Sequence, residues 1–277
     1  MSQSDRGIIM LAMGWRHNVV AAVSLWTLRK HWSGPVTIFH DTQAAMIVKQ
    51  IAEAANADAV LIDPVRQKRN SHYAAKPALP QLSPYRFTIQ VDTDTIWAAS
   101  PQPLFDMLTP QVCIVTQFGG WESTGPKMRG RIEGWRKADP ERVERSLAKA
   151  WPALNTGVVA YGNESIVARE VWMEETLKQP SIFMADELSF QILVPDYEQR
   201  PDLLLVTDDR FNCCPRFGTR KADAVVWHFH GHQKLDRLPE YRALWEPAFR
   251  EAWACDFAGI QSWVRQGAKG WIESYLT

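Results

Sequence analysis

Asp92-Thr93-Asp94 directly follows the run Phe87-Thr88-Ile89-Gln90-Val91. That run reads as a buried strand, and side chains two apart on extended backbone share a face. The two carboxylates then converge on one point. Adjacent anions repel unless something neutralises them. A hard divalent cation does so through oxygen ligands and keeps positions open for phosphate oxygens. The other reading of the spacing is a solvated turn with helix-capping acids. Far along the chain lies His228-Phe229-His230-Gly231-His232-Gln233-Lys234, again at the end of an apolar run, Ala224 to Phe229. His228 and His230 share a face there. Imidazole suits ions of the Mn2+ type and is uncommon on Mg2+. Gly231 lets backbone approach a ligand, and Lys234 places a cation near phosphate. A surface histidine cluster is the alternative.

Three further candidates are weaker alone. Asn155-Thr156-Gly157 precedes an apolar strand and reads equally as a turn. Asp186-Glu187 stands at a predicted helix start, where acids serve the helix dipole. Paired acids can also orient or deprotonate a hydroxyl. Lys76 lies sixteen residues before Asp92, and an isolated surface lysine is its ordinary reading.

The elements that must position these residues begin as alternating strands and helices. Strands are predicted at Gly7 to Met13, Val36 to Phe39, Asp58 to Ile62 and Arg86 to Val91, with helices over Asn18 to His31 and Thr42 to Ala55. A basic loop, Arg66 to Asn70, precedes a short helix from Tyr73 to Leu82, bent at Pro77 and Pro80. Repeated strand-helix-strand units imply an α/β fold with a mainly parallel sheet covered on both faces. Ligands bind beyond the carboxyl ends of such strands, so chemistry is expected just after Met13, Phe39 and Val91. The second half is less regular. Strands are predicted at Val112 to Thr116, Val158 to Tyr161, Leu203 to Val206 and Ala224 to Phe229, with a helix from Ser165 to Leu177. Phe118 to Trp151 shows no clean periodicity before a helix at Glu141 to Ala150. It reads as a solvated segment or as a lid ordered by ligand. The tail, Pro239 to Leu276, is helical, with Trp245, Phe249 and Trp253 spaced by four. That spacing reads as core packing or as docking on a membrane surface.

Composition narrows the class. The 277 residues suit one large domain with an appendage, and Lys plus Arg (31) balances Asp plus Glu (31). Zero net charge and the lack of a recognition element argue against nucleic-acid binding. No apolar stretch approaches a membrane span, and the start does not read as a secretory signal. Four cysteines without metal spacing suit a reducing cytoplasm. Thirteen Trp serve cores, sugar stacking or membrane surfaces.

In this order the motifs resemble the nucleotide-sugar-dependent glycosyltransferases of the GT-A fold, above all glycosyltransferase family 8 and its bacterial relatives. The likeness runs from about residue 7 to 236 and is dense only at the motifs. It implies a GT-A-like catalytic domain at 1–236 and a helical C-terminal extension at 237–277 packed on it. It implies Asp92, Asp94 and His228 as ligands of Mn2+ or Mg2+. The donor would be a nucleotide sugar, with a UDP-sugar expected, held by Ala12, Gly14, Lys76, Asp92, Thr93, Gly231 and Lys234. Asn155, Asp186 and Glu187 would face the sugar and the acceptor, a glycan, a lipid-linked species or a small molecule. Retention of anomeric configuration is expected. The sequence departs from the family where Leu235 follows Lys234 in place of Pro, where Thr156 replaces Ser, and where Asp186-Glu187-Leu188 only partly matches Asp-Gln-Asp. A nucleotidyltransferase making nucleotide sugars is the alternative within enzymes. It wants a Gly-rich basic loop after the first strand, and Gly14-Trp15-Arg16-His17 is a poor one. A non-catalytic sugar- or nucleotide-binding module is the alternative outside them.

Overall fold

The structure, a computed structural model, describes residues 5–13, 16–42, 45–62, 74–179, 183–230, 235 and 238–266. Its frame is a sheet of seven strands. In chain order these are β1 (Arg6–Ala12), β2 (Val36–His40), β3 (Asp58–Leu61), β4 (Phe87–Val91), β6 (Cys113–Glu122), β7 (Pro152–Gly162) and β8 (Leu204–Thr207). They lie side by side as β3-β2-β1-β4-β7-β6-β8. The neighbours of β1 and β2 are parallel, as is the β6–β8 pair. Only β7 runs antiparallel, to β4 on one side and β6 on the other. The chain leaves β1 for β2 on one side and returns to β4 on the other. The crevice beyond Ala12 and Val91 is therefore the switch point where α/β sheets bind ligands. A small ribbon stands beside the sheet, with β5 (Thr95–Trp97) antiparallel to β9 (Val226–His228).

Helix α1 (Arg16–Arg29) shows how tertiary packing exceeds the sequence pattern. The apolar stripe predicts one buried face. Instead Val19, Val20, Ala21, Ala22, Val23, Leu25 and Leu28 are all buried, because the sheet, β5, α2 (Ala45–Ala55) and the C-terminal helix surround it. A helix covered on every side tolerates apolar residues all round. Its two buried hydroxyls are satisfied across the ribbon: Ser24 pairs with Thr95 at 2.8 Å, and Thr27 accepts from the Trp97 amide at 3.1 Å. The proline-bent segment leads through Lys76–Ala78 into α3 (Leu79–Leu82), and α4 (Gln102–Phe105) follows the ribbon strand β5.

The irregular stretch from 118 to 151 is corrected by the structure. β6 continues to Glu122, and α5 (Pro126–Glu133) and α6 (Pro140–Ala148) follow. Met128, Ile132, Trp135 and Val143 form a core cluster with Ala185, Leu188 and Ile192 of α8 (Ala185–Leu193). Beside them lies α7 (Trp172–Lys178), whose buried Glu175 accepts from Trp135 Nε1 at 2.9 Å and from Lys178 at 2.7 Å, and also pairs with Arg142. Asp139 caps α6 by accepting from the Arg142 amide at 3.0 Å. Many of the charges that read as a solvated segment pair with one another or with Glu175, Lys178, Asp196 and Glu198, and their helices are packed against the domain.

The tail is two helices, α9 (Pro239–Ala254) and α10 (Ile260–Gln266), with a short turn between them. Tyr241, Trp245, Phe249 and Ile260 are buried in the main core, and Trp263 donates to Gln50 of α2 at 2.8 Å. The apolar stripe that could have faced a membrane faces the protein. Trp271 lies outside the described residues. Among the described residues no helix is long and apolar enough to cross a membrane. Truncating a buried Trp costs about 3–5 kcal/mol. Trp245→Ala should show that loss in equilibrium urea unfolding, as one transition. A loss under about 1 kcal/mol would separate α9 from the core.

Candidate active site

The site forms where β4, β7, α8 and β9 meet. The Asp92 amide donates to the Gly157 carbonyl at 2.8 Å, which ties the end of β4 to β7. The chain then bends at Thr93-Asp94 and enters β5. Thr95 stands opposite His228 in the ribbon, and the Phe229 amide donates to the Asp94 carbonyl at 3.0 Å. This short ribbon carries His228 across more than a hundred residues of chain to the acidic pair. His228 Nε2 lies 3.2 Å from Asp94 Oδ1 and 3.7 Å from Asp92 Oδ2.

β7 contributes through a register shift. Between Val115 and Thr116 of β6 the ladder breaks, and Thr116 pairs with Asn155 where an unbroken ladder would place Val158. Such bulges re-aim side chains next to active sites. The strand predicted from Val158 thus starts six residues earlier, and its polar Asn155-Thr156-Gly157 is a bulge inside it. Gly157 is required for space. A Cβ there would fall on the His228 ring and 2.8 Å from Asn155 Oδ1.

The expected residues Asn155, Asp186 and Glu187 come together around this bulge. Thr156 Oγ1 donates to Asp186 Oδ2 at 2.7 Å, and Asn155 Nδ2 donates to Glu187 Oε2 at 2.8 Å. Both acids sit in the first turn of α8, but each is 3% exposed or less, so their roles exceed helix capping. Lys76 is not an isolated surface lysine. Its ammonium lies 2.8 Å from Asp92 Oδ1 and 3.2 Å from Asp186 Oδ2, and it donates to Thr156 at 3.2 Å. Burial opposes its charge, but Asp92 and Asp186 outweigh that and raise its pKa above the ordinary lysine value. Glu187 is pushed up to about 8, first by burial and then by Asp186. Arg131 at 3.6 Å, Lys76 and the Asn155 amide only partly offset this. Burial and Asp186 thus favour the protonated form of Glu187.

Asp92, Asp94 and His228 offer three ligand atoms within 4.8 Å of one another. Neighbouring ligands of an octahedral ion with bonds of about 2.1 Å lie about 3 Å apart. The observed spacings and the mixed oxygen–nitrogen donor set suit Mn2+, and the carboxylates suit Mg2+. Ala12 is buried at the end of β1, and Thr93 is buried beneath the acidic pair. Gly14, Gly231 and Lys234 lie outside the described residues, as does the basic loop from Arg66 to Asn70. Sequence reasoning missed Asn212, which is buried and hydrogen-bonded to His228, Asn155 and Thr116. Its only signal was a lone amide between Phe211 and Cys213-Cys214, all buried. It also missed Arg131, and an aromatic run that leads outward from His230 through Phe118 and Trp121 to half-exposed Phe217.

No protein-family model matches the sequence, and no curated protein matches it. Solved structures match its fold. The galactosyltransferase LgtC in complex with donor and acceptor sugar analogs aligns with a TM-score of 0.61 at 14% identity, over 91% of this chain and 95% of that one. Mouse xyloside xylosyltransferase 1 in its apo form aligns at 0.56 and 15% identity, over 82% of this chain and 98% of that one. The glycosyltransferase GlyE of Streptococcus pneumoniae TIGR4 aligns at 0.56 and 12% identity, over 92% of this chain and 64% of that one. The likeness is one of fold. The chain has the GT-A fold that these glycosyltransferases share, as its motifs led us to expect.

The proton on Glu187 has a sign that can be measured. A carboxyl whose pKa is raised from 4.5 to about 8 on folding favours the folded state at low pH. That contribution is lost as pH rises from the unfolded value through the folded one. Glu187→Gln should therefore melt with wild type near pH 4.5 and above it at about pH 9, by a few kcal/mol. Equal melting temperatures across the range would show that no proton is held there.

Proposed function

We propose that the protein is a metal-dependent glycosyltransferase that moves a hexose from a nucleotide-diphosphate sugar, a UDP-sugar, to a hydroxyl of an acceptor. The observation that carries this reading is the convergence of Asp92, Asp94 and His228 beyond the switch-point strands. Asp92 is joined through Lys76 to Asp186. Asp92 and Asp186 share one ammonium there, and Asp94 lies beside them on His228. A divalent cation suits such a concentration of carboxylates.

In this reading Asp92, Asp94 and His228 hold the ion. When bound, Mn2+ or Mg2+ supplies Lewis-acid stabilisation of the departing diphosphate. Ala12, Gly14 and Thr93 border the donor, and Gly231 and Lys234 address its phosphates. Lys76 holds Asp92 and Asp186 in place. The anomeric carbon becomes oxocarbenium-like as the bond to phosphate breaks. Asp186, Glu187 and Asn155 lie on the side where the sugar and acceptor would meet. Glu187 is suited to hold a proton against a sugar or acceptor oxygen. Residues 1–236 carry the chemistry, and the helix at 239–254 braces α1. Retention follows from the family resemblance, and the acceptor is a glycan, a lipid-linked species or a small molecule. The four free cysteines suit a cytoplasmic setting.

A panel of nucleotide sugars tests the reading by thermal shift with and without Mn2+, alongside diphosphate release. A preferred donor should raise the melting temperature by mass action, with metal-dependent release of nucleoside diphosphate. Asp92→Asn and Asp94→Asn should each abolish the metal-dependent part of the shift. Stabilisation by sugars without release would make the protein a binding module. Release of pyrophosphate from a nucleoside triphosphate would make it a nucleotidyltransferase. NMR coupling at the product's anomeric proton reads retention.

A further inference from the structure

Four residues from separate parts of the chain form one hydrogen-bonded line, His228–Asn212–Asn155–Glu187. Its polarity is set by a single backbone group. The Gly157 amide can only donate, and it donates to Asn155 Oδ1 at 2.8 Å. That fixes which end of the Asn155 amide is oxygen, so Nδ2 faces Glu187 Oε2 at 2.8 Å. Asn155 Oδ1 also lies 2.9 Å from Asn212, which must therefore present its own Nδ2 there. The same Nδ2 faces Thr116 Oγ1 at 2.7 Å and the Asn155 carbonyl at 3.2 Å. Thr116 cannot reverse this, because its hydroxyl hydrogen goes to the Asn155 carbonyl at 3.1 Å or the Val158 carbonyl at 3.4 Å. Flipping the Asn212 amide would set oxygen against oxygen. Asn212 Oδ1 is left facing His228 Nδ1 at 2.8 Å. An amide oxygen only accepts, so the proton of the neutral ring belongs on Nδ1.

We infer that Asn212 is a positioning residue that acts at both ends of the site. Toward Asp92 and Asp94 it selects the Nδ1–H tautomer whenever the His228 ring is neutral, which leaves Nε2 on the side of the carboxylates. Toward the sugar side it holds Asn155 so that its N–H meets Glu187. A hydrogen-bonding partner on the far nitrogen of a metal-binding histidine fixes tautomer and orientation. Here that partner is an amide already committed to the residue that touches Glu187. Asn212 is 1% exposed, so water does not compete for these bonds. The inference deepens the glycosyltransferase reading and rests on it for the roles of the two ends. The tautomer itself does not depend on that reading.

Nitrogen-15 NMR of the metal-free full chain at about pH 9, where imidazole is neutral, tests the tautomer, with His228→Gln for assignment. Protonated Nδ1 is expected in wild type, with Asn212→Leu moving the proton toward Nε2. An Nε2–H ring in wild type overturns the inference. Titration with Mn2+ alone, read by electron paramagnetic resonance, tests the metal end. Asn212→Leu should weaken binding about 10- to 100-fold. Asn212→Asp keeps an acceptor for Nδ1–H and should bind within a few-fold of wild type. It cannot donate to Asn155, so its kcat for donor turnover should fall while Mn2+ affinity is retained. Unchanged Mn2+ affinity in Asn212→Leu, or unchanged kcat in Asn212→Asp, overturns the corresponding end. If Asn212→Leu does not fold, the wild-type spectrum and Asn212→Asp still decide. A wild type that binds no Mn2+ defeats the metal reading and leaves the tautomer to stand or fall by its spectrum.

Discussion

Carboxylate crowding governs this molecule. Asp92 and Asp94 end one strand, and Asp186 and Glu187 open one helix. The fold delivers all four to the same corner of the sheet with most of their surface out of water. Buried like charges do not coexist unless cations or protons separate them. Two devices do so here. Lys76 bridges Asp92 and Asp186. Burial and Asp186 push the Glu187 carboxyl toward its protonated form, with Arg131 nearby. The Nε2 edge of His228 closes the pocket on Asp92 and Asp94. Removing one partner of such a cluster leaves its neighbour as an uncompensated buried charge. The arrangement is thus held together by the same electrostatics that make it reactive.

The scaffold serves this corner in specific ways. Parallel strands β1, β2 and β4 point their carboxyl ends at one crevice. β7 is the antiparallel strand between β4 and β6, and its shifted register beside Thr116 pushes Asn155 and Thr156 toward α8. Gly157 leaves room for the imidazole against that bulge. The β5–β9 ribbon is only three residues wide, yet its pairing of Thr95 with His228 sets the imidazole beside Asp94. Met184 begins α8 in a left-handed conformation, φ 64°, so the helix starts abruptly and both acids fall in its first turn.

The first half of the fold was legible because each strand there is an apolar run and two of them stop in polar residues. His40-Asp41 follows β2 and Asp92-Thr93-Asp94 follows β4. The meeting of Asp92, Asp94 and His228 was also legible, but only through the family resemblance, since nothing local in the sequence joins residues 94 and 228. The early part of β7 was not legible. A bulge places polar residues inside a strand and breaks the alternation that marks one. The helices at 126–148 were obscured because their charges pair with one another and with α7, so an interior face looked like a solvated one. Asn212 was beyond reach for a different reason. Its meaning lies in the directions of hydrogen bonds among three distant segments, and amide direction leaves no trace in residue spacing.

Composition misleads about such a site in a systematic way. Acids and bases are equal in number over the chain, which argues against a polyelectrolyte partner. It says nothing of a corner where Asp92 and Asp186 share one lysine and Asp94 and Glu187 lie close by. Long-range charge is screened by salt over about 10 Å, so the balance that decides what binds is the local one. The tryptophans make the same point from the apolar side. Their abundance suggests sugar stacking, yet Trp97, Trp135, Trp172 and Trp245 are buried in the core. Of the tryptophans, Trp121 is the one in the aromatic run that starts at His230 and ends at Phe217 on the surface. Residue type becomes chemistry only when the fold decides which few copies face the crevice, and here that decision falls to a bulge, a glycine and a three-residue ribbon.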